Sequence, residues 1–321
     1  MHLYIDTSNI AHVLAHSMQP QELQVGPQAI ALGVTNMIGT YIRFFRADRV
    51  YFCFDGVEGS WRGKLCPEYK AQRAAKFKAK PEEQAKRKMA DAALRLLPEL
   101  VDLLCVPVFQ MPWVEADDVC AAVVSLNANK PGVIVTSDKD FWQLITPSIH
   151  LMNPAHNYRV MLGSDGKLLK MKANGTNEEI GLSPNEWLLS RAMVGDTSDN
   201  LAGLIGCGNI TARKVILEQR VNTYLAEKTG TVTKRKTKTT PKQEVYQDAR
   251  AVVQKNLKMM TLLRSQVSAK VTEMMSLVER EGLRARQNNA TRLTLWLESK
   301  GYANTEIVGN LVATYTDLWL R

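Results

Sequence analysis

Residues 133–138 read VIVTSD, an apolar run without alternation that ends in a carboxylate. A half-exposed strand would alternate polar and apolar residues. An unbroken apolar run fits a strand covered on both faces, as in a parallel sheet. The same form recurs at LYID (3–6) and VYFCFD (50–55), and VPVFQ (106–110) and IHLMN (149–153) are further apolar runs. Helix-length segments separate them over 28–46, 82–104 and 115–129. This alternation predicts an α/β fold built on a doubly wound sheet. In open parallel sheets, ligands bind beyond the carboxyl ends of the strands. Asp6, Asp55 and Asp138 should therefore converge on one edge.

More acids belong to the same set. PWVEADDVCAAVV (112–124) opens a helix with Glu115, Asp117 and Asp118. Asp140 follows two residues after Asp138: it shares a face with Asp138 if the strand continues, or points into the cleft if Asp138 caps a helix. Asp196 and Asp199 lie in GDTSDN (195–200). Desolvated carboxylates repel one another and need compensation. All-oxygen donors suit Mg²⁺ or Mn²⁺, and no His or Cys lies beside these acids in sequence to suggest zinc. Two such ions can activate water and stabilise the leaving oxygen of a phosphodiester.

The remaining chain is basic. It carries 41 Lys and Arg against 32 Asp and Glu, a formal charge of +9, which favours an anionic partner such as nucleic acid. Residues 61–88 concentrate ten of the cations against three acids, with Lys70, Arg73, Phe77 and Lys80 on one helical face and Pro81 breaking or restarting the helix. Tyr69 and Phe77 could stack on bases. Gly206 and Gly208 permit close backbone approach before a helix starting near Asn209, whose N-terminus can hold a phosphate. Residues 228–242, Thr-rich and basic, read as a mobile loop between helices. A hairpin is expected at 158–171, a polar linker after it, and a helix from Pro184 capped by Ser183 and Glu186. Five scattered cysteines without a CxxC pair argue against zinc and disulfides and fit a reducing cytoplasm. No run approaches the roughly 20 apolar residues of a membrane span. The start reads as a first strand and not as a signal peptide.

Taken together, IDTSN (5–9), YFCFDG (51–56), CPEYKAQR (66–73), EADDV (115–119), VTSDKDF (135–141) and GDTSDNLAGLIGCGNITARK (195–214) resemble the flap endonuclease (5′-nuclease) family. That family includes bacteriophage enzymes and the exonuclease domain of bacterial DNA polymerase I. The resemblance covers roughly residues 3–216 and adds little over the last hundred. It implies a PIN-like parallel-sheet nuclease core over 1–175 with a helical arch at about 61–97. A mainly helical region over 176–321 would carry a helix-three-turn-helix (helix-hairpin-helix) DNA-binding element.

Carried over residue by residue, the resemblance places Asp6, Asp55, Glu115, Asp117 and Asp118 at one metal and Asp138, Asp140, Asp196 and Asp199 near a second. Asp138, Lys70 and Arg73 would serve catalysis, with the Lys–Arg pair on the scissile phosphate. Tyr69, Lys76, Phe77, Gly206, Gly208, Arg213 and Lys214 would contact nucleic acid. Two Mg²⁺ or Mn²⁺ ions are implied, with K⁺ at the hairpin. The implied substrates are branched or 5′-flap DNA and RNA/DNA duplex, cut during primer removal in replication. A monomer in the cytoplasm (the host's, for a phage enzyme) is implied, with a single-strand-binding protein as a partner. The absence of a following polymerase domain suggests a free-standing, phage-type form.

The sequence also departs from the family. His12 and His16 stand in the first helix, where an Arg is frequent, and read as packed or solvated side chains. Ala202 replaces a usual Pro, and Asn209–Ile210 replace a frequent Lys. Three alternatives stay open: a PIN-type ribonuclease, a phosphatase of the haloacid-dehalogenase type, and a non-catalytic branched-DNA-binding protein. The hairpin, the single acid of the first strand and the nine acids, respectively, argue against them.

Overall fold

The apolar runs form the parallel half of an eight-stranded sheet in the computed structural model, which describes residues 1–19, 26–72, 81–234, 243–262, 264–281, 289–301 and 305–319. The strands are β1 (His2–Asp6), β2 (Arg49–Phe54), β3 (Val108–Gln110), β4 (Gly132–Val135), β5 (Ile149–Asn153), β6 (Tyr158–Leu162), β7 (Leu168–Lys172) and β8 (Asn177–Glu179). Their order is β3-β2-β1-β4-β5-β6-β7-β8. The first five are parallel and β5 to β8 are antiparallel. Strand order reverses at β1, so the switch-point crevice opens between the ends of β1 and β4. Val135 ends β4, earlier than expected, because Asp138 caps a 3-10 helix over Lys139–Leu144.

Helices cover both faces. α1 (Thr7–Ser17), α2 (Pro27–Phe45) and α4 (Pro81–Leu103) pack on one side, and α3 (Trp61–Leu65) lies at the carboxyl edge. α5 (Ala116–Leu126) packs on the other, where Val119 to Val123 are fully buried. Farther along come α6 (Pro184–Val194), the ribbon β9 (Gly195–Asp196) and β10 (Leu201–Ala202), α7 (Asn209–Leu217), α8 (Val221–Lys228) and α9 (Ala249–Met260). The Ser183–Glu186 capping box forms as expected.

Two segments differ from their sequence reading. The expected polar linker contains β8, so the sheet runs past residue 175. All three β8 residues are exposed, which removes the apolar periodicity that would announce a strand. The expected loop at 228–242 begins as β11 (Gly230–Lys234), paired antiparallel with β12 (Gln243–Gln247). Thr and Val in GTVTK favour a strand, a signal masked by the charge run. Residues 235–242 lie outside the described residues.

The last hundred residues complete the core. Val267 and Val271 of α10 (Arg264–Glu281) join the cluster around α5. α11 (Asn289–Ser299) and α12 (Thr305–Trp319) cover α2 and α4 through Leu293, Leu297, Leu311 and Tyr315. The Tyr315 hydroxyl donates to the Thr35 carbonyl at 3.0 Å. Among the described residues no helix is long and apolar enough to cross a membrane, and all five cysteines are free.

Leu297 is fully buried while Leu295, two residues away, is 59% exposed. Leu297→Ala should cost about 3 kcal/mol in urea denaturation, and Leu295→Ala less than about 0.5 kcal/mol. Equal effects would contradict the docking of α11 on the core.

Candidate active site

Asp6 ends β1 at the switch point. Its carboxylate accepts from the Thr136 hydroxyl at 2.8 Å and the Asn9 backbone N–H at 3.3 Å. Asn9 in turn accepts from the backbone N–H and hydroxyl of Ser137, both at 2.8 Å, which ties the start of α1 to the end of β4. Asp55 follows β2 and accepts from the Ala116 N–H at 2.8 Å, fixing the start of α5. Asp138 accepts from the Asp140 N–H at 2.9 Å as the 3-10 cap. These carboxylates line a cleft of about 550 Å³ together with Glu115 and Asp117.

A second, smaller cleft of about 90 Å³ adjoins it and is lined by Asp117, Asp138, Asp140, Asp196 and Asp199. Asp117, Asp138 and Lys70 line both clefts. The ribbon supplies Asp196 and Asp199 at a fixed place for steric reasons. A Cβ on Gly203 would stand 1.9 Å from the Val194 carbonyl oxygen, and Gly195 has φ +77°. Asn256, buried in α9, donates to the carbonyls of Ala192 and Ala202, each at 2.9 Å. The Lys70 N–H donates to the Asp199 carbonyl at 3.0 Å, with Lys70 in the left-handed region at φ +58°.

Protein cations meet part of the charge that the sequence reading assigned to metal. Arg62 is 1% exposed. Its guanidinium donates to Glu115 at 2.6 Å, to Asp117 at 3.3 Å, and to both oxygens of Asp118 at 2.9 and 3.0 Å. Its Nε donates to the Met259 carbonyl at 2.7 Å. Asp118 is fully buried, also accepts from the Trp61 indole N–H at 2.5 Å, and lines neither cleft. Its geometry is that of an anchor for Arg62. Lys70 pairs with Glu115, and Arg191 bridges Asp140 at 3.2 Å and Asp196 at 2.5 Å.

The residual imbalance appears in the acids. Burial raises the Asp6 carboxyl to about 7, against the Thr136 hydrogen bond and with Asp55 and Asp138 adding repulsion. Burial, then Asp138, raises Asp140 to about 7 despite Arg191. Burial would also raise Glu115, but Lys70 and Arg62 hold it at about 2. Among the described residues no three carboxylates or other ligands already close on one point as a metal cage. The donor set nevertheless fits a hard cation: it is all oxygen, enclosed, and short of positive charge.

The family model described as 5′-3′ exonuclease, N-terminal resolvase-like domain matches residues 1–179, ending with β8. The chain belongs to this family. It is 37% identical over 174 residues to a thermostable DNA polymerase I of Thermus aquaticus, covering 53% of this chain and 18% of that protein. It is 30% identical over 212 residues to DNA polymerase I of Pseudomonas aeruginosa, covering 65% of this chain and 21% of that protein. The match thus spans about a fifth of the length of these relatives. Among solved structures, a zinc-bound T5 5′-exonuclease has the same fold, with a TM-score of 0.57 at 15% identity over 99% of both chains. The bacteriophage T5 flap endonuclease, in a pseudo-enzyme–product complex with DNA and metal ions, gives 0.54 at 15% identity over 100% of this chain and 99% of that one.

The structure brings Asp6, Asp55, Glu115, Asp117 and Asp138 to the first cleft, and Asp117, Asp138 and Asp140 to the second, where Asp196 and Asp199 join them from beyond the family domain. Tyr69 is largely buried and lines the second cleft with Leu201 and Met259, its hydroxyl donating to Glu115 at 3.4 Å. Arg73, Lys76 and Phe77 lie outside the described residues. Gly206 has φ +74° and Gly208 precedes α7, which carries Arg213 and an exposed Lys214. Sequence reasoning missed Arg62, Arg191 and Asn256. The one available signal was general, namely that Glu115, Asp117 and Asp118 required a buried cation. Nothing separated Arg62 from nine neighbouring cations.

Arg62→Met should destabilise the protein by about 3–5 kcal/mol by leaving carboxylates buried and unpaired. Arg62→Lys should recover only part, because one ammonium cannot span both oxygens of Asp118 while reaching Glu115. Full stability of Arg62→Met in denaturant titration would contradict this assignment.

Proposed function

We propose that the protein is a divalent-metal-dependent, structure-specific 5′ nuclease, acting as a 5′-3′ exonuclease and flap endonuclease on DNA or RNA/DNA. The carrying observation is the pair of adjoining carboxylate clefts that share Asp117, Asp138 and Lys70 at the carboxyl edge of the sheet. The family domain and the metal-bound and DNA-bound bacteriophage T5 neighbours support the reading.

Two Mg²⁺ or Mn²⁺ ions would be held by the acids of the two clefts, of which Asp117 and Asp138 line both. Such ions supply Lewis acidity for phosphodiester hydrolysis. Lys70 places a positive charge where both clefts meet and, with Arg73, would stabilise charge on the scissile phosphate. Asp6 and Asp140, whose carboxyls are raised to about 7, would have to ionise to serve as ligands. Residues 176–321 would hold duplex, with the turn at Gly206–Gly208 and Arg213 and Lys214 of α7 on the backbone as a helix-hairpin-helix element and K⁺ bound at the turn. A monomer removing primers during replication, with single-strand-binding protein nearby, completes the reading.

Cleavage of an end-labelled 5′-flap duplex should require Mg²⁺, and Asp138→Ala should lower kcat more than about 100-fold. A wild type that binds the flap and never cuts it would support the non-catalytic alternative.

The acids also set a pH dependence. In the folded, metal-free protein, Asp6 and Asp140 hold protons up to about pH 7 that the unfolded chain releases near pH 4. They therefore subtract stability as pH rises through that window, and metal binding returns it. The Tm gained on adding Mg²⁺ should grow from about pH 5 to about pH 8, a difference in which other titrations largely cancel. A gain independent of pH would contradict this.

A further inference from the structure

Val57 lines the larger cleft yet is 84% exposed, so an otherwise acidic site carries an apolar side chain at its mouth. The loop that holds it, residues 55–60, is bonded to the turn before α5. The Gly56 N–H donates to the Val114 carbonyl at 2.8 Å, and the Trp61 N–H donates to the Trp113 carbonyl at 2.9 Å. Val114 packs against the core around α5, whereas Trp113 is 42% exposed. Two residues of chain span at most about 7 Å, so the Trp113 backbone stands that close to Glu115, which lines the same cleft as Val57.

Trp113 is held there against its own backbone preference. It has φ +62°, and among the described non-glycine residues at positive φ it has the largest side chain. Bulky residues avoid this left-handed region, and such outliers persist where the surroundings impose them, frequently at ligand sites. Lys64 of α3 covers the indole, its Nζ 3.3 Å from the ring centroid. Lys64 is exposed, and a cation–π contact at an exposed site is worth only about two- to fivefold in an equilibrium. Stacking of a base on an aromatic ring is worth about fivefold or more. A base therefore outcompetes Lys64 for the ring and frees its ammonium for phosphate.

We propose that Trp113 is a stacking platform for an unpaired nucleobase of the substrate, covered by Lys64 until nucleic acid arrives. The inference rests on the nuclease reading and adds a base contact to a site otherwise built for cations and phosphates. Trp113 is a positioning residue in this role: it holds the strand at the cleft and takes no part in the chemistry. Stacking is tolerant of sequence because every base has a π-face, so the platform requires a base but not a particular one.

The test measures binding of two 5′-flap duplexes whose unpaired arms carry either thymines or abasic residues, so that the phosphates are the same. The full chain with Asp138→Ala is used in Mg²⁺, so that cleavage does not deplete the substrate. With Trp113 present, the thymine arm should bind at least about fivefold more tightly than the abasic arm. Adding Trp113→Leu should lower that ratio about fivefold, and adding Trp113→Phe should keep most of it. Leu and Phe carry the same backbone strain, so their difference isolates the aromatic face. A ratio near one with Trp113 present, or one unchanged by Trp113→Leu, overturns the platform. Equal weakening on both arms also overturns it, because that marks a structural role. If the chain with Asp138 intact cuts neither flap while Trp113 still confers the base preference, the nuclease reading fails and the platform stands.

Discussion

The buried guanidinium of Arg62 is the interaction on which the acidic edge depends. It comes from a five-residue helix, α3, and reaches three carboxylates at the start of α5 and the carbonyl of Met259 at the end of α9. Without a cation, Glu115, Asp117 and Asp118 would repel one another in an enclosed site. With it, Asp118 is neutralised in the core, and Glu115 and Asp117 are aimed into the clefts. Arg62 thus joins three parts of the chain that lie far apart in sequence, and the apolar face of α5 holds the assembly against the sheet.

Compensation is incomplete, and that is where function enters. Arg62, Lys70 and Arg191 balance some of the acids, yet Asp6 and Asp140 are still raised to about 7. A site fully paired by protein cations would have no affinity left for metal. The balance is graded across the molecule: Asp118 is sealed, Glu115 is shared with Lys70, and Asp138 stands where both clefts meet.

Much of this was legible in sequence. Unbroken apolar runs ending in Asp6 and Asp55 gave strands whose ends meet, and VIVTSDKDF gave β4 and the acids after it. These features are local, since strand burial and capping depend on near neighbours. His12 and His16 were read as packed or solvated side chains, and His12 is half-buried and His16 exposed; that both line the cleft follows from α4 closing over α1 from about seventy residues away in sequence. The roles of Arg62, Arg191 and Asn256 are likewise products of tertiary contact. Tyr69 was read as a base-stacking side chain; the burial of its ring at the second cleft and the bond from its hydroxyl to Glu115 come from tertiary contact. β8 escaped notice because an exposed edge strand carries no apolar period.

On the proposed reading the shared acids bind cations while Asp118 stays paired to Arg62. Anomalous diffraction from crystals soaked in Mn²⁺ tests it most directly. The account predicts Mn²⁺ density bounded by Asp6, Asp117 and Asp138 and by Asp138, Asp140, Asp196 and Asp199, with Asp118 still paired to Arg62. Crystals with no Mn²⁺ in either cleft, or with Asp118 drawn off Arg62 to ligate the ion, would contradict it.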